Sequence, residues 1–261
     1  MKKILFTGAR SGIANAVIDE IINKKYYIYV TVHTEKQLQI ISKKYEDYRN
    51  VECFKLDITN ADDRRKLEEL DIDILVNNAA VGYGGSIAEI PMSKVRKNFE
   101  VNVFSYFEVE QIILKNMIKR NSGKIINIAS IAGIIPMCFL GSYCATKASI
   151  IKMTECLRKE LKLIDSKIDI CLIEPGLYHT GFNQVMLDNK YKWMDTNSYF
   201  SYCIDYIKTK ENFLFRTFEK YELKSIVRKI VKAIKTNHPD FIYRAPFSQV
   251  LIAKGYQIFK G

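Results

Sequence analysis

Tyr143 and Lys147 lie in the run Gly141-Ser-Tyr-Cys-Ala-Thr-Lys147, a spacing that puts both side chains on one helix face, one turn apart. A free phenol titrates near pH 10, so it exchanges protons near neutrality only where a neighbouring cation favours its anion. Lys147 stands where that cation is needed. Ser130 lies upstream, directly after the apolar run 124–129. Its hydroxyl therefore falls at the C-terminal edge of an expected strand, the edge at which open α/β sheets bind their ligands. A hydroxyl, a phenol and an ammonium are the parts of a site that moves a proton to or from a substrate oxygen. Taken singly, each is ordinary, since a Tyr with a Lys at i+4 is most often a surface pair. The elements that carry them decide the matter.

Those elements alternate. Residues 3–6 are an apolar run, followed by Thr7-Gly8-Ala9-Arg10-Ser11-Gly12-Ile13-Ala14 and by residues 15–23, where Val17, Ile18, Ile21 and Ile22 keep helical spacing. A strand, a glycine turn and a helix in this order let backbone N–H groups at the helix N-terminus face a pyrophosphate. Residues 26–32 read as the second strand, ending at Val32 and His33. A carboxylate there would hold the adenosine ribose hydroxyls of NAD. None is present, and Arg10 in the glycine turn offers a cation to a 2′-phosphate, so the pattern leans towards NADP. His33 reads equally well as a solvated strand-end residue.

Further strands are expected at 51–56, ending at Asp57 and Ile58, and at 71–76, ending in Asn77-Asn78-Ala79-Ala80. Others follow at 124–129, at 167–174 before Pro175-Gly176, and at 240–244. Helices are expected at 36–45, 61–70, across 92–120 as one or two, from Tyr143 to 163, and at 225–235. Asn102 falls inside one of these, where a lone Asn normally faces water. The fold class predicted is α/β, a doubly wound, mostly parallel seven-stranded sheet with helices on both faces in a single domain, residues 1–261.

From 177 to 218 the periodicity weakens while Tyr, Trp and Phe accumulate, which suits a lid over an apolar substrate or equally a filling of the core. The tail, 246–261, has enough apolar residues to dock on its own domain, on another subunit or peripherally on a membrane surface.

Composition narrows the class. Six cysteines show no C-x-x-C pair, so they imply neither a zinc site nor a disulfide frame, and they suit a reducing, cytoplasmic setting. No metal site is expected. The apolar run after Met-Lys-Lys stops at Thr7-Gly8, too short for a secretion signal, and no stretch approaches the roughly 18 apolar residues of a membrane span. The net charge of +11 is spread along the chain without a block of like charges, so a nucleic-acid partner is not expected.

The ordered set resembles the short-chain dehydrogenase/reductase family in its short, single-domain branch, over residues 3 to about 180. Thr7-Gly8-x-x-x-Gly12-Ile13-Ala14 is similar to the cofactor glycine motif, with alanine for its last glycine. Asn77-Asn78-Ala79-Ala80 is similar to the family's NNAG, again with a glycine replaced. Both departures add one methyl and bear on cofactor affinity more than on fold. The resemblance implies a catalytic tetrad of Asn102, Ser130, Tyr143 and Lys147. It implies that Gly8, Arg10, Ser11, Gly12, Ile13, His33, Asp57, Ile58, Asn78, Ala79, Pro175, Gly176, Tyr178 and Thr180, with Tyr143 and Lys147, bind NADP or NAD. Asp57 would contact the adenine, and the segment from Pro175 to Thr180 would cover the nicotinamide. In that scheme Tyr143 is the general acid or base, Ser130 holds the substrate oxygen, Lys147 binds the nicotinamide ribose, and Asn102 holds a water that links Lys147 to solvent.

The function expected is hydride transfer between NADP, in preference to NAD, and a carbonyl or secondary alcohol. A homodimer or homotetramer built from the helices carrying Asn102 and Tyr143 is implied. A non-catalytic dinucleotide sensor or scaffold on the same fold is the alternative.

Overall fold

The computed structural model describes residues 1–259. Strands β1 (Lys2–Phe6), β2 (Tyr26–Val32), β3 (Val51–Lys55), β4 (Ile74–Asn77), β5 (Gly123–Ile128), β6 (Ile168–Pro175) and β7 (Ile242–Ala245) form one sheet in the order β3-β2-β1-β4-β5-β6-β7. Every pairing is parallel, so the sheet expected to be mostly parallel is parallel throughout.

A parallel sheet is covered on both faces, which is why its strands read as nearly unbroken apolar runs. Alternation still sorts the side chains. Ile4, Phe6, Ile74, Val76, Cys171 and Ile173 point into one layer, with α1 (Gly12–Ile21), α2 (Glu35–Lys44) and α9 (Lys224–Lys235). Leu5, Leu75, Ile125 and Ile170 point into the other, against α5 (Ser105–Arg120) and α6 (Gly141–Leu163). Helix α9 shows how the sequence assigns a face: Ile226, Ile230, Ala233 and Ile234 are buried, while its lysines stay outside.

The chain runs outward from β1 through β2 and β3, then returns to start β4 on β1's other side. The loops leaving β1 and β4 therefore diverge, which opens a crevice at the C-terminal strand ends.

Several elements differ from expectation. Helix α1 starts at Gly12 and not at 15, because the glycine turn runs straight into it. The charged helix α3 is only Ala61–Arg65. The region 92–120 comprises α4 (Met92–Phe99) and α5, joined by a π-helical turn, Glu100–Phe104, that contains Asn102. Residues 177–218 contain two full helices, α7 (Phe182–Asn197) and α8 (Ile204–Phe218). Their pattern is weak because polar residues share the inward faces, Lys190 between Met186 and Met194 and Glu211 behind Ile204 and Ile207; Tyr199, Tyr202, Tyr206 and Phe213 are exposed, so the aromatics only partly fill a core. The tail is a helix, α10 (Phe247–Phe259), which buries Gln249, Val250 and Ala253 against its own domain and exposes Phe247, Leu251, Ile258 and Phe259. The last two residues of the expected 246–261 tail lie outside the described residues.

Candidate active site

The glycine turn is held open by the loop after β4. Gly8 and Gly12 both have positive φ, +63° and +68°, where a side chain is strained. A Cβ at Gly8 would stand 2.8 Å from the Ala79 Cα, and one at Gly12 would stand 3.1 Å from the Thr180 Cβ. The Thr7 hydroxyl accepts from the Asn78 and Ala79 N–H groups at 2.8 and 3.0 Å, and the Asn78 amide donates to the Thr7 and Gly8 carbonyls at 3.0 Å each. The Asn-Asn-Ala run thus braces the turn. Ser11 caps α1 without a side-chain hydrogen bond, so no cap competes for its first N–H groups.

Asp57 lies two residues beyond β3 and accepts from the Thr59 N–H and hydroxyl at 2.9 and 2.8 Å, while His33 Nε2 lies 3.3 Å from its other oxygen. Burial raises the Asp57 pKa, but the Thr59 bonds and the charges of His33 and Lys97 outweigh it, and the carboxyl titrates below its ordinary value. The crevice end beside Asp57 thus gathers Arg10, His33 and Lys97.

Ser130 follows β5 and Tyr143 opens α6, so a strand end and a helix start bring them to the same wall. The Ser130 hydroxyl accepts from the Ala132 N–H at 3.1 Å and donates to the Pro175 carbonyl at 3.4 Å. Gly133 lets this turn lie against α6, since a Cβ there would be 2.7 Å from the Lys147 carbonyl carbon. The Tyr143 ring is 8% exposed and packs 5.7 Å, centre to centre, from Phe182 of α7.

The expected coupling of phenol and ammonium takes another form. Lys147 Nζ donates to the Ile128 carbonyl at 3.0 Å and lies 5.9 Å from the Tyr143 ring centre. Burial pushes the lysine down to about 7. Burial also drives the Tyr143 phenol well above its ordinary value, with the Cys144 thiol adding to the rise and Ser130 pulling it partway back. In the protein alone, desolvation outweighs the cation.

Asn102 also departs from expectation. It does not face water but is fully buried: its amide donates to the Val81 carbonyl at 2.8 Å and to Thr146 at 3.1 Å, and its carbonyl accepts from the Val81 N–H at 2.8 Å. Thr146 in turn donates to the Tyr143 carbonyl at 2.7 Å. Asn102 is therefore behind the crevice wall, tying the loop after β4 to the turn that carries Tyr143.

A crevice of about 490 Å³ has all the other expected residues in its lining, from Arg10 and His33 at one end to Ser130, Tyr143 and Thr180 at the other. Tyr178 is among them, but its hydroxyl is turned to Ser225 at 2.7 Å, so it offers backbone more than side chain. Sequence reasoning missed Asn98, which does for Tyr83 what Asn102 does for Val81 and also donates to Ser142. The signal was the i, i+4 spacing of two asparagines. Of the apolar wall of Phe182, Val185, Met186 and Phe215, only Phe215 belongs to the aromatics expected over an apolar substrate; the other three were missed, because the helices that carry them were not legible.

The glycine cradle, the uncapped helix start and a crevice leading from Asp57 to Tyr143 fit a dinucleotide, and parallel α/β folds of this topology bind one at this edge. Over residues 2–190 the sequence matches the short chain dehydrogenase family, and the chain belongs to it. It is therefore an oxidoreductase acting on C=O or CH–OH groups, in a family that uses nicotinamide cofactors. It is 30% identical over 192 residues, 71% of this chain and 68% of the other, to a probable short-chain type dehydrogenase/reductase, VdlC, of Helicobacter pylori. It is 28% identical over 263 residues to a 3-ketodihydrosphingosine reductase of Bacteroides thetaiotaomicron, covering 96% of this chain and 90% of that one. A short chain dehydrogenase/reductase from Burkholderia phymatum, solved in complex with NAD, has the same fold at a TM-score of 0.80 and 20% identity, covering 97% of this chain and 92% of the other.

Proposed function

We propose that the protein is an NADP-preferring reductase of apolar ketones, running in reverse on secondary alcohols, with Tyr143 as proton donor and acceptor. The observation that carries this reading is the meeting of Ser130, Tyr143 and Lys147 in one wall of a crevice whose far end is the glycine cradle. A nicotinamide bound there supplies or takes the hydride. Ser130 turns its hydroxyl from the weak 3.4 Å bond with Pro175 towards the substrate oxygen and stabilises charge developing on it. Tyr143 donates its proton to that oxygen when a carbonyl is reduced. Its burial keeps the phenol protonated, which favours the reductive direction. Lys147 replenishes the phenol's proton and holds the nicotinamide ribose.

Arg10, His33 and Lys97 around the adenosine end support NADP over NAD. The residues proposed to hold the cofactor are Gly8, Arg10, Ser11, Gly12, Ile13, His33, Asp57, Ile58, Asn78 and Ala79 at that end, and Pro175, Gly176, Tyr178 and Thr180 over the nicotinamide.

Residues 177–218 act as the substrate lid. Met137, Leu140, Phe182, Met186 and Phe215 supply an apolar chamber beside Tyr143, and the likeness to the 3-ketodihydrosphingosine reductase, which extends through this segment, supports a long-chain ketone. Exposed Phe104 beside α5 and Met153 on α6 support a homodimer or homotetramer packed through those helices. The six free cysteines support a cytoplasmic setting.

The test is NADPH consumption, followed by absorbance, against ketones of increasing chain length, with NADH in parallel. Turnover of the longer ketones with NADPH is expected. Tyr143→Phe should abolish turnover while NADPH binding persists; turnover retained in that variant removes Tyr143 from its role.

A further inference from the structure

Residues 177–218 leave the end of β6 at Leu177 and come back beside it at Phe218, and one side chain holds both ends. Gln249, from the first turn of α10, is buried. Its carbonyl oxygen accepts from the Leu177 N–H at 2.7 Å, and its amide donates to the Phe218 carbonyl at 2.7 Å. The approach is close enough to dictate the neighbouring residue: a Cβ at Gly176 would stand 2.1 Å from Gln249 Oε1. Gly176 is also fixed from β7, its N–H donating to the Ala245 carbonyl at 2.8 Å.

The two ends are joined to each other as well. Lys220 N–H donates to the Leu177 carbonyl at 3.0 Å, and His179 N–H to the Lys220 carbonyl at 2.9 Å. The Glu219 carboxylate accepts from Asn183 at 3.0 Å and meets His179 Nδ1 at 3.0 Å. Both termini of the segment are therefore pinned at one point. Leu177 directly follows the Pro175-Gly176 turn, so whatever fixes its N–H also fixes the backbone against the crevice.

We propose that Gln249 is a positioning residue: through its carboxamide the C-terminal helix sets the placement of the Pro175–Thr180 backbone and anchors the base of the lid. This rests on the nicotinamide-facing role given to that backbone above. The carboxamide is suited to the task because it offers one acceptor and one donor in a fixed plane. A carboxylate offers only the acceptor.

The two halves of the clamp separate in two full-length variants. Gln249→Met keeps the length and removes both bonds. Gln249→Glu keeps the acceptor for Leu177 and loses the donor to Phe218. Three experiments are made: the NADPH dissociation constant by nucleotide fluorescence, steady-state KM and kcat for a turned-over ketone, and amide hydrogen exchange across residues 175–220. In Gln249→Met the NADPH dissociation constant should rise about tenfold, the worth of one lost hydrogen bond of this kind, and exchange should quicken at Leu177 and through the lid. In Gln249→Glu cofactor affinity should return towards that of the unaltered protein, while ketone KM stays raised and exchange near Phe218 stays fast.

A lower Tm in Gln249→Met with unchanged dissociation constant, KM and lid exchange would show a merely structural residue and overturn the proposal. Equal loss of cofactor affinity in both variants would overturn the assignment of the Leu177 bond. Should the unaltered protein bind no NADPH, the functional reading fails, and the clamp is then judged by exchange alone: quickening confined to 175–220 in Gln249→Met supports it, and unchanged exchange overturns it.

Discussion

Lys147 spends a hydrogen bond on the Ile128 carbonyl, 3.0 Å away, one residue before the strand β5 hands over to Ala129 and Ser130. The ammonium is thereby held beside the crevice wall and away from water, which is why burial depresses it to about 7.

A pH dependence follows from this burial. Below about pH 7 Lys147 is charged in both the folded and unfolded chain, and the cost of burying the cation is fully present. Between about pH 7 and 10 the unfolded chain keeps the proton that the folded chain has released, so folding stability rises with pH. Thermal melts of the cofactor-free protein across that window should show the rise, and Lys147→Met should flatten it. The same profile in Lys147→Met as in the unaltered protein would contradict the buried, depressed lysine.

Glu110 on α5 works in the opposite sense. It is 1% exposed, and burial raises its carboxyl to about 7, with the Asn127 amide pulling it partway back. Between about pH 4.5 and 7 the folded chain holds a proton that the unfolded chain has lost, so stability falls as pH rises through that window. At pH 8, Glu110→Gln should raise stability by roughly 3 kcal/mol, the linkage value of such a shift, and remove the fall. Denaturant titrations at pH 5 and pH 8 measure both.

Gly8 should tolerate no side chain. Alanine there would meet the Ala79 backbone at 2.8 Å in a left-handed conformation, which by itself costs about 1–2 kcal/mol. Gly8→Ala should lower Tm and weaken NADPH binding by more than tenfold, since the turn must shift to relieve the contact; isothermal titration with NADPH reads the second effect directly.

Asn102→Leu should leave the Val81 N–H and carbonyl without their partner and take from the Thr146 hydroxyl the bond it accepts, leaving only the one it donates to the Tyr143 carbonyl. Each buried group left unpaired costs about 1–3 kcal/mol. Loss of stability is expected together with a fall in kcat greater than any rise in NADPH KM, because the link runs through Thr146 to the Tyr143 carbonyl. Steady-state kinetics on the folded fraction separates these. An unchanged kcat would confine Asn102 to a structural role.

How much was legible depends on the range of the interaction. Strand positions and the glycine turn follow from local periodicity and spacing, the Ser130, Tyr143, Lys147 set from the resemblance of the ordered motifs, and the structure brings all three side chains to one wall. Helices α7 and α8 were not legible, because their inward stripes are chemically mixed: Lys190 is buried between Met186 and Met194 on α7, and Glu211 is half-buried behind Ile204 and Ile207 on α8. The burial of Asn102 was not legible either, since its partners are 21 and 44 residues distant.

By itself the sequence determined the alternation of strand and helix, the open turn at Gly8 and Gly12, and the residue types available for proton transfer, because these depend on backbone conformation and on neighbours within a turn. Tertiary structure alone decided the rest. It turned Lys147 towards Ile128, drew Asn98 and Asn102 behind the wall, and set Gln249 between Leu177 and Phe218, 72 and 31 residues away in the chain. The reason is physical: desolvation and hydrogen bonds between distant segments exist only once the layers have closed, so they leave no periodic mark in the chain that forms them.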